Sequence, residues 1–342
     1  MISSRHHKGL HHELGGGFRG VIVRVDGNGH SSIEDRENTE KLRMFLRTKL
    51  RSPCYKYKGS IGKRHPHSCN VFKYPNDVLV DEKRSMIFVS DCSELGIQAF
   101  DLHEKQFLFN ISAPDRPRFM ALYYNSLIFS CENNLVYRYD LETRQEIWIS
   151  KKQNVFSDMQ TMNNPCGVVG DEIDEKIYIA DCNNRRIVVL NGENGMFHRV
   201  IDFKSKHNSL SYTDVRPYGI DINVDYNLVF SNIVDAQIYI ITRTGIPIAI
   251  IGSPGSSIGL DFNFPSGVLV NSKNGNILIC DRNNHRVQVL SSKGQYIKCF
   301  GSYGIDAGQF YEPRGLCIDH SSGDLYIVDY GNDRIQIFEQ FT

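Results

Sequence analysis

"ICDRNNHRVQVL", residues 279–290, sets an acid, two amides, a histidine and two arginines between two apolar runs. The arrangement returns as "IADCNNRRIVVL" (179–190) and "IVDYGNDRIQIF" (327–338), and more faintly as "VSDCSELGIQAF" (89–100) and "FSNIVDAQIYII" (230–241). "FSCENNLVYRYD" (129–140) is one residue short. Upstream of each stands a proline followed by an apolar run: "YPNDVLV", "RPRFMAL", "NPCGVVG", "RPYGIDI", "FPSGVLV" and "EPRGLCI", with prolines at 75, 117, 165, 217, 265 and 313. Their spacings of 42, 48, 52, 48 and 48 residues signal an array of similar supersecondary units.

Each unit contains four short apolar segments separated by turn residues. In the fifth, "SGVLV", "NILIC", "RVQVL" and "QYIKCF" are divided by "NSKNG", "DRNNH" and "SSKG". Runs of β-branched and aromatic residues bounded by Asn, Gly, Asp and Ser are strands joined as hairpins. Four antiparallel strands repeated six times predict an all-β, six-bladed propeller. The last unit stops after its third strand, and "CYKYKGSIG" (54–62) mirrors the fourth-strand segment "YIKCFGSYG" (296–304). An N-terminal strand is therefore expected to complete the last blade and close the ring, leaving fewer free edges.

The polar stretch then falls in the turn between second and third strands. Asp281 is expected to accept backbone N–H bonds there, with Asn283 and Asn284 taking the left-handed dihedrals such turns need. Arg286 opens the third strand, and an exposed pairing with an acid would contribute only ~0–1 kcal/mol. A turn copied across units that cannot all share one ligand reads as architecture. P-x-G-V, an apolar second strand, D-x-x-N-x-R-V/I-Q-V and a later F-G…G-x-F-x-x-P together resemble the NHL-repeat family over residues 54–342. The match is sharpest in units three, five and six; Cys131 and Asn232 replace the acid in units two and four. The resemblance implies a six-bladed propeller of the kind that forms the recognition domain of TRIM-NHL ubiquitin ligases and translational repressors.

Recognition is expected where residues vary on the repeated frame. The proline-flanking positions supply Tyr74, Asn76, Arg116, Arg118, Arg216, Tyr218, Phe264 and Arg314, and the turns on the same face supply Arg185, Arg286 and Arg334. These form a basic, aromatic rim suited to an acidic peptide or to stacked bases. The competing reading pairs the arginines with Asp91, Asp181, Asp235, Asp281 and Asp329. Residues 1–64 hold 14 Lys+Arg and 6 Asp+Glu; of 39 each in the chain, 25 basic and 33 acidic residues remain beyond, a net of −8. That balance argues against strong sequence-blind nucleic-acid binding. Protein partners are thus the leading expectation, single-stranded RNA the alternative, and a metal-dependent lyase or hydrolase the third.

Catalysis finds little support in the sequence. No histidine flanks the repeated prolines, neither G-x-S-x-G nor H-E-x-x-H occurs, and no RING or B-box cysteine-histidine spacing is present. No metal or other cofactor is expected. Nine cysteines without a C-x-x-C pair, several inside apolar runs, read as buried free thiols. The expected setting is cytoplasmic: no apolar stretch reaches the ~18 residues a membrane span requires, and the first residues carry no apolar signal core. A monomeric propeller over 53–342 is expected to follow a basic arm over 1–52. Within the arm, "FRGVIVRVDG" (18–27) suits a strand, and a capping box with Leu42, Phe45, Leu46 and Leu50 predicts an amphipathic helix over about 32–50.

Overall fold

The computed structural model describes residues 24–25, 31–32, 54–62, 72–93, 96–150, 161–203 and 215–341. Residues 1–52 and 53–342 form separate compact units. In the first, Arg24–Val25 pairs antiparallel with Ser31–Ser32. The helix expected over 32–50 lies outside the described residues beyond Ser32. In the second, six four-stranded antiparallel sheets follow one another, five with their strands in chain order from the inside outwards and the last closed by an N-terminal strand. Each first strand opens on a repeated proline: Pro75–Asp81, Pro117–Tyr123, Pro165–Asp171, Pro217–Ile222, Pro265–Val270 and Pro313–Ile318. Proline has no N–H to donate, so the start of a strand accommodates it without a lost ladder bond.

Ring closure follows the expected route. Arg334–Phe341, the third strand of blade 6, pairs with Cys54–Ile61, from Ile335 opposite Ile61 to Phe341 opposite Cys54. What holds the blades together is a series of six apolar layers, one in each gap between neighbours. Between blades 2 and 3, for example, Ala121, Ile128 and Val136 meet Ile177, Ile179 and Val188. The sixth layer joins blade 6 to blade 1 through Tyr326, Val328, Ile335 and Ile337 against Val78, Val80, Ile87 and Val89. Burying one such side chain fully stabilises by roughly 1.5–3 kcal/mol, so these layers dominate cohesion. The F-G…F element of the repeat also has a packing reason. Phe72, Phe262 and Phe310 are fully buried. Their rings lie where a Cβ on Gly62, Gly252 or Gly301 would fall, 2.2 to 2.6 Å from ring carbons.

The polar stretch is a clamp on the loop that leads into its own blade. Asp281 Oδ1 accepts the backbone N–H of Asn263 at 2.7 Å, while Oδ2 accepts from Arg286 Nε at 2.7 Å, Asn284 Nδ2 at 2.9 Å and Gln288 Nε2 at 3.1 Å. Arg286 donates onward to the carbonyls of Ser256, Ser257 and Asp261 in that loop. Asp181 with Arg186 and Asp329 with Arg334 repeat the pairing at 2.6 and 2.7 Å. In blade 4, Asn232 takes the acid's place and keeps the loop contact, accepting from Arg216 N, while its Nδ2 donates to Asp235.

Two expectations are corrected here. The pairs are buried, with no exposure at the aspartates and 7 to 8% at the arginine side chains. The left-handed residue is His285 (φ 53°), following a single 3-10 turn over Arg282–Asn284, so neither asparagine bends the chain. Asn284 instead spends its amide on Asp281. Removing one member of such a pair strands a buried charge, which typically costs about 3–5 kcal/mol. Asp281→Ala is therefore expected to lower unfolding stability by about that amount, read as a reduced urea midpoint.

Candidate functional site

The loops leading into the first strands and the turns between second and third strands open on one face, where they surround a concavity of about 1120 Å³. Its wall includes Tyr74, Asn76, Arg116, Arg118, Tyr218 and Arg314 from the expected rim, together with Cys92, Glu132 and Tyr330. The latter three occupy the position just after the repeated acid, represented elsewhere by Cys182, Ile233 and Arg282. Sequence reasoning passed over that position because the acid and arginine beside it drew attention. Its signal was variation immediately after a repeated residue.

The remaining rim candidates are placed differently. Arg286 and Arg334 are closed into the clamps described above, 7% and 6% exposed, and do not line the concavity. Arg185 is the left-handed residue that ends the 3-10 turn of blade 3. Arg216 is partly buried beside its proline and does not line the concavity. Phe264 sits at φ +55°, its ring 5.7 Å from that of Tyr218 and beneath Arg282 at 5.0 Å.

Two arcs of unlike chemistry make up the mouth. Across blades 2 to 5, buried Cys166, Cys182, Tyr218 and Phe119 pack together, joined by Ile233 and Phe264, and of these Tyr218 reaches the concavity. Burial pushes the Tyr218 hydroxyl up to about 12 despite the nearby Arg314, Arg118 and Arg282, so it remains protonated. On blades 6, 1 and 2 the wall is polar. Arg118 and Arg116 reach Glu132 from 3.3 and 3.5 Å, and Arg118 also bonds Asn164 Oδ1. Arg314 donates from Nη1 to Asn76 Oδ1 at 2.9 Å, and its guanidinium lies 3.3 Å from the centre of the Tyr330 ring. Arg282 is held away by Glu312 at 3.0 Å.

Behind the mouth the six first strands line a channel of about 220 Å³. Glycine at 167, 219, 267 and 315 lets neighbouring strands crowd together; a Cβ on Gly267 would meet the Arg314 carbonyl at 2.3 Å. Blade 1 places Asp77 at the equivalent position, where it accepts the N–H of Met120 at 2.8 Å and is 6% exposed. Asp221, on blade 4, accepts from Val270 N and Ile222 N, both at 2.7 Å. Burial raises Asp77 to about 8 and Asp221 to about 6. Among the described residues, no group of three or more His, Cys, Asp or Glu is arranged to hold a metal.

An NHL-repeat model matches residues 262–290 and 310–338, the approach loop and first three strands of blades 5 and 6. The chain carries NHL repeats. A segment of 65 residues is 40% identical to the RING finger protein nhl-1 of Caenorhabditis elegans, spanning 19% of this chain and 6% of that protein. The NHL propeller also superposes on a structural genomics protein of unknown function from Bacteroides thetaiotaomicron. That pair has a TM-score of 0.66 and 15% identity, over 84% of this chain and 76% of the other. Streptogramin B lyase gives 0.57 and 12%, over 84% and 98%. Kuenenia stuttgartiensis hydrazine synthase gives 0.56 and 13%, over 81% and 98%. At these identities the likeness shows the fold alone, shared by enzymes and other proteins. No helix among the described residues is long and apolar enough to cross a membrane.

The Asp77 carboxyl makes a testable contribution to stability. Its folded pKa near 8 lies above the unfolded value near 4, so folding favours the protonated form. This contribution is complete below pH ~4 and is lost as pH rises from there through about 8. Asp221 adds a smaller loss ending near pH 6. Asp77→Asn, which keeps the acceptor for Met120 but cannot ionise, is expected to gain stability on the wild type between pH 5 and 8.5 in parallel urea titrations.

Proposed function

We propose that this NHL propeller is a non-enzymatic recognition scaffold that binds protein partners across its loop face. The observation carrying this reading is the two-chemistry mouth, where an apolar cluster surfaces at Tyr218 opposite a polar, arginine-bearing wall built from the positions that vary between blades. Protein interfaces favour such combinations of aromatic anchors and arginines within a polar rim. NHL propellers generally mediate protein interactions, which supports the same assignment. Likeness to a RING finger protein over 65 residues motivates a ubiquitin-ligase-like setting in the cytoplasm, with the propeller acting as a monomer.

Single-stranded RNA is the second reading, favoured by Arg116, whose side chain is 64% exposed, next to the open mouth that also holds exposed Tyr74. A photo-crosslinking amino acid at Arg116 is expected to give protein adducts that survive ribonuclease. The same group at Ile173, 65% exposed in a turn at the opposite end of blade 3, is expected to give none of them. Adducts abolished by ribonuclease, or equal from both positions, would reject protein recognition through this face.

A further inference from the structure

Six arginines on the loop face pair with a carboxylate among the described residues. Arg116 and Arg118 share Glu132, Arg282 has Glu312, and Arg186, Arg286 and Arg334 each hold an aspartate. Arg314 is partly buried and has no carboxylate partner among the described residues; its contacts are Asn76 Oδ1 and the face of Tyr330. Desolvation accordingly lowers its pKa from the ordinary guanidinium range. Its Nε atom is buried with no acceptor.

Asn76 shows the same deficit. The residue is 2% exposed, its oxygen is taken by Arg314, and its Nδ2 is buried without a partner. A buried donor left unmade costs about 1–3 kcal/mol, more beside a charge. Both residues line the 1120 Å³ concavity; Arg314 Nη2 carries no hydrogen bond there among the described residues, while the unpartnered Arg314 Nε and Asn76 Nδ2 lie beneath the surface. Stacking on Tyr330 fixes the plane of the guanidinium, and a fixed guanidinium is suited to a planar two-oxygen acceptor.

We infer that the mouth takes a single carboxylate from a partner peptide onto Arg314, beside Asn76, with an adjoining apolar side chain against Tyr218. This inference rests on the protein-recognition reading and adds the chemistry recognised. A polyanion fits less well. Glu132 shares the same wall, and the chain beyond residue 64 carries a net charge of −8. Tyr330, the natural platform for a base, already has Arg314 on its face. A glutamate or aspartate side chain and a chain terminus present the same two oxygens.

The test begins with a displayed random-peptide library selected on the full chain, followed by synthesis of the enriched peptides. Enrichment of an acid, or of a free C-terminus, beside an aliphatic or aromatic residue is expected. Replacing the acid by its amide is expected to weaken binding at least tenfold, ~1.4 kcal/mol. Amidating the C-terminus instead identifies a terminal carboxylate. Arg314→Gln is expected to cause a similar loss. Asn76→Asp supplies the missing acceptor from within, and is expected to abolish peptide binding while raising the melting temperature, a combination that misfolding cannot produce. Neutral peptides bound equally by wild type and Arg314→Gln would overturn the inference and leave protein recognition standing. An oligouridylate octamer that displaces the peptide and itself loses affinity in Arg314→Gln would assign the site to phosphate and overturn both.

Discussion

The seam between blade 6 and blade 1 is the contact on which the remaining architecture depends. Five gaps between blades are filled by segments close in sequence, but the sixth joins the two ends of the propeller chain. Its apolar layer and the ladder between Arg334–Phe341 and Cys54–Ile61 turn an arc of sheets into a ring. Only in a ring does every sheet bury both faces of its inner strands, which explains why most residues of the second and third strands are buried. The seam also creates the mouth chemistry, because Asn76 belongs to blade 1 and Arg314 to blade 6. A loosened seam would part those two residues before any other pair on the polar arc.

The division of labour among arginines follows from position within the blade. Those that open third strands are drawn down onto the aspartate that closes the second strand, and their remaining donors fix the approach loop. Those beside the prolines are held more loosely: Arg116 and Arg118 share Glu132 of their own blade. Arg118 finds Asn164 across the gap to blade 3, and Arg314 finds only a neutral amide. Identical side chains are thereby structural in one register and available in the other. The distinction comes from desolvation: clamp arginines are enclosed with their countercharge, while Arg314 is desolvated without one.

Much of this was legible in the chain. The prolines marked the start of every first strand, and the mirrored "CYKYKGSIG" and "YIKCFGSYG" located the closing strand. Other features were hidden for identifiable reasons. A repeated acid and arginine five residues apart look like a surface pair until the approach loop is known to fold over them. The bend at His285 could not be read from residue type, because a 3-10 turn of three residues carried the strain past the two asparagines. Asp77 occupies a glycine position, and only the crowded channel shows that its carboxyl is wedged against Gly315 on one side and Met120 on the other. The apolar arc involving Cys166 and Tyr218 required knowing which blades are neighbours.

The closing strand has an implication for biosynthesis. Cys54–Ile61 is made before any of the first three strands of the blade it completes, yet its ladder partner is made after every other strand of the propeller. Until then a stretch rich in tyrosine and lysine must remain unmated while five sheets assemble. Pairings of such wide sequence separation form late and leave edges open to other molecules. Two lysines on the outward side of the strand, Lys56 and Lys58, are the sort of charge that discourages premature association between nascent copies.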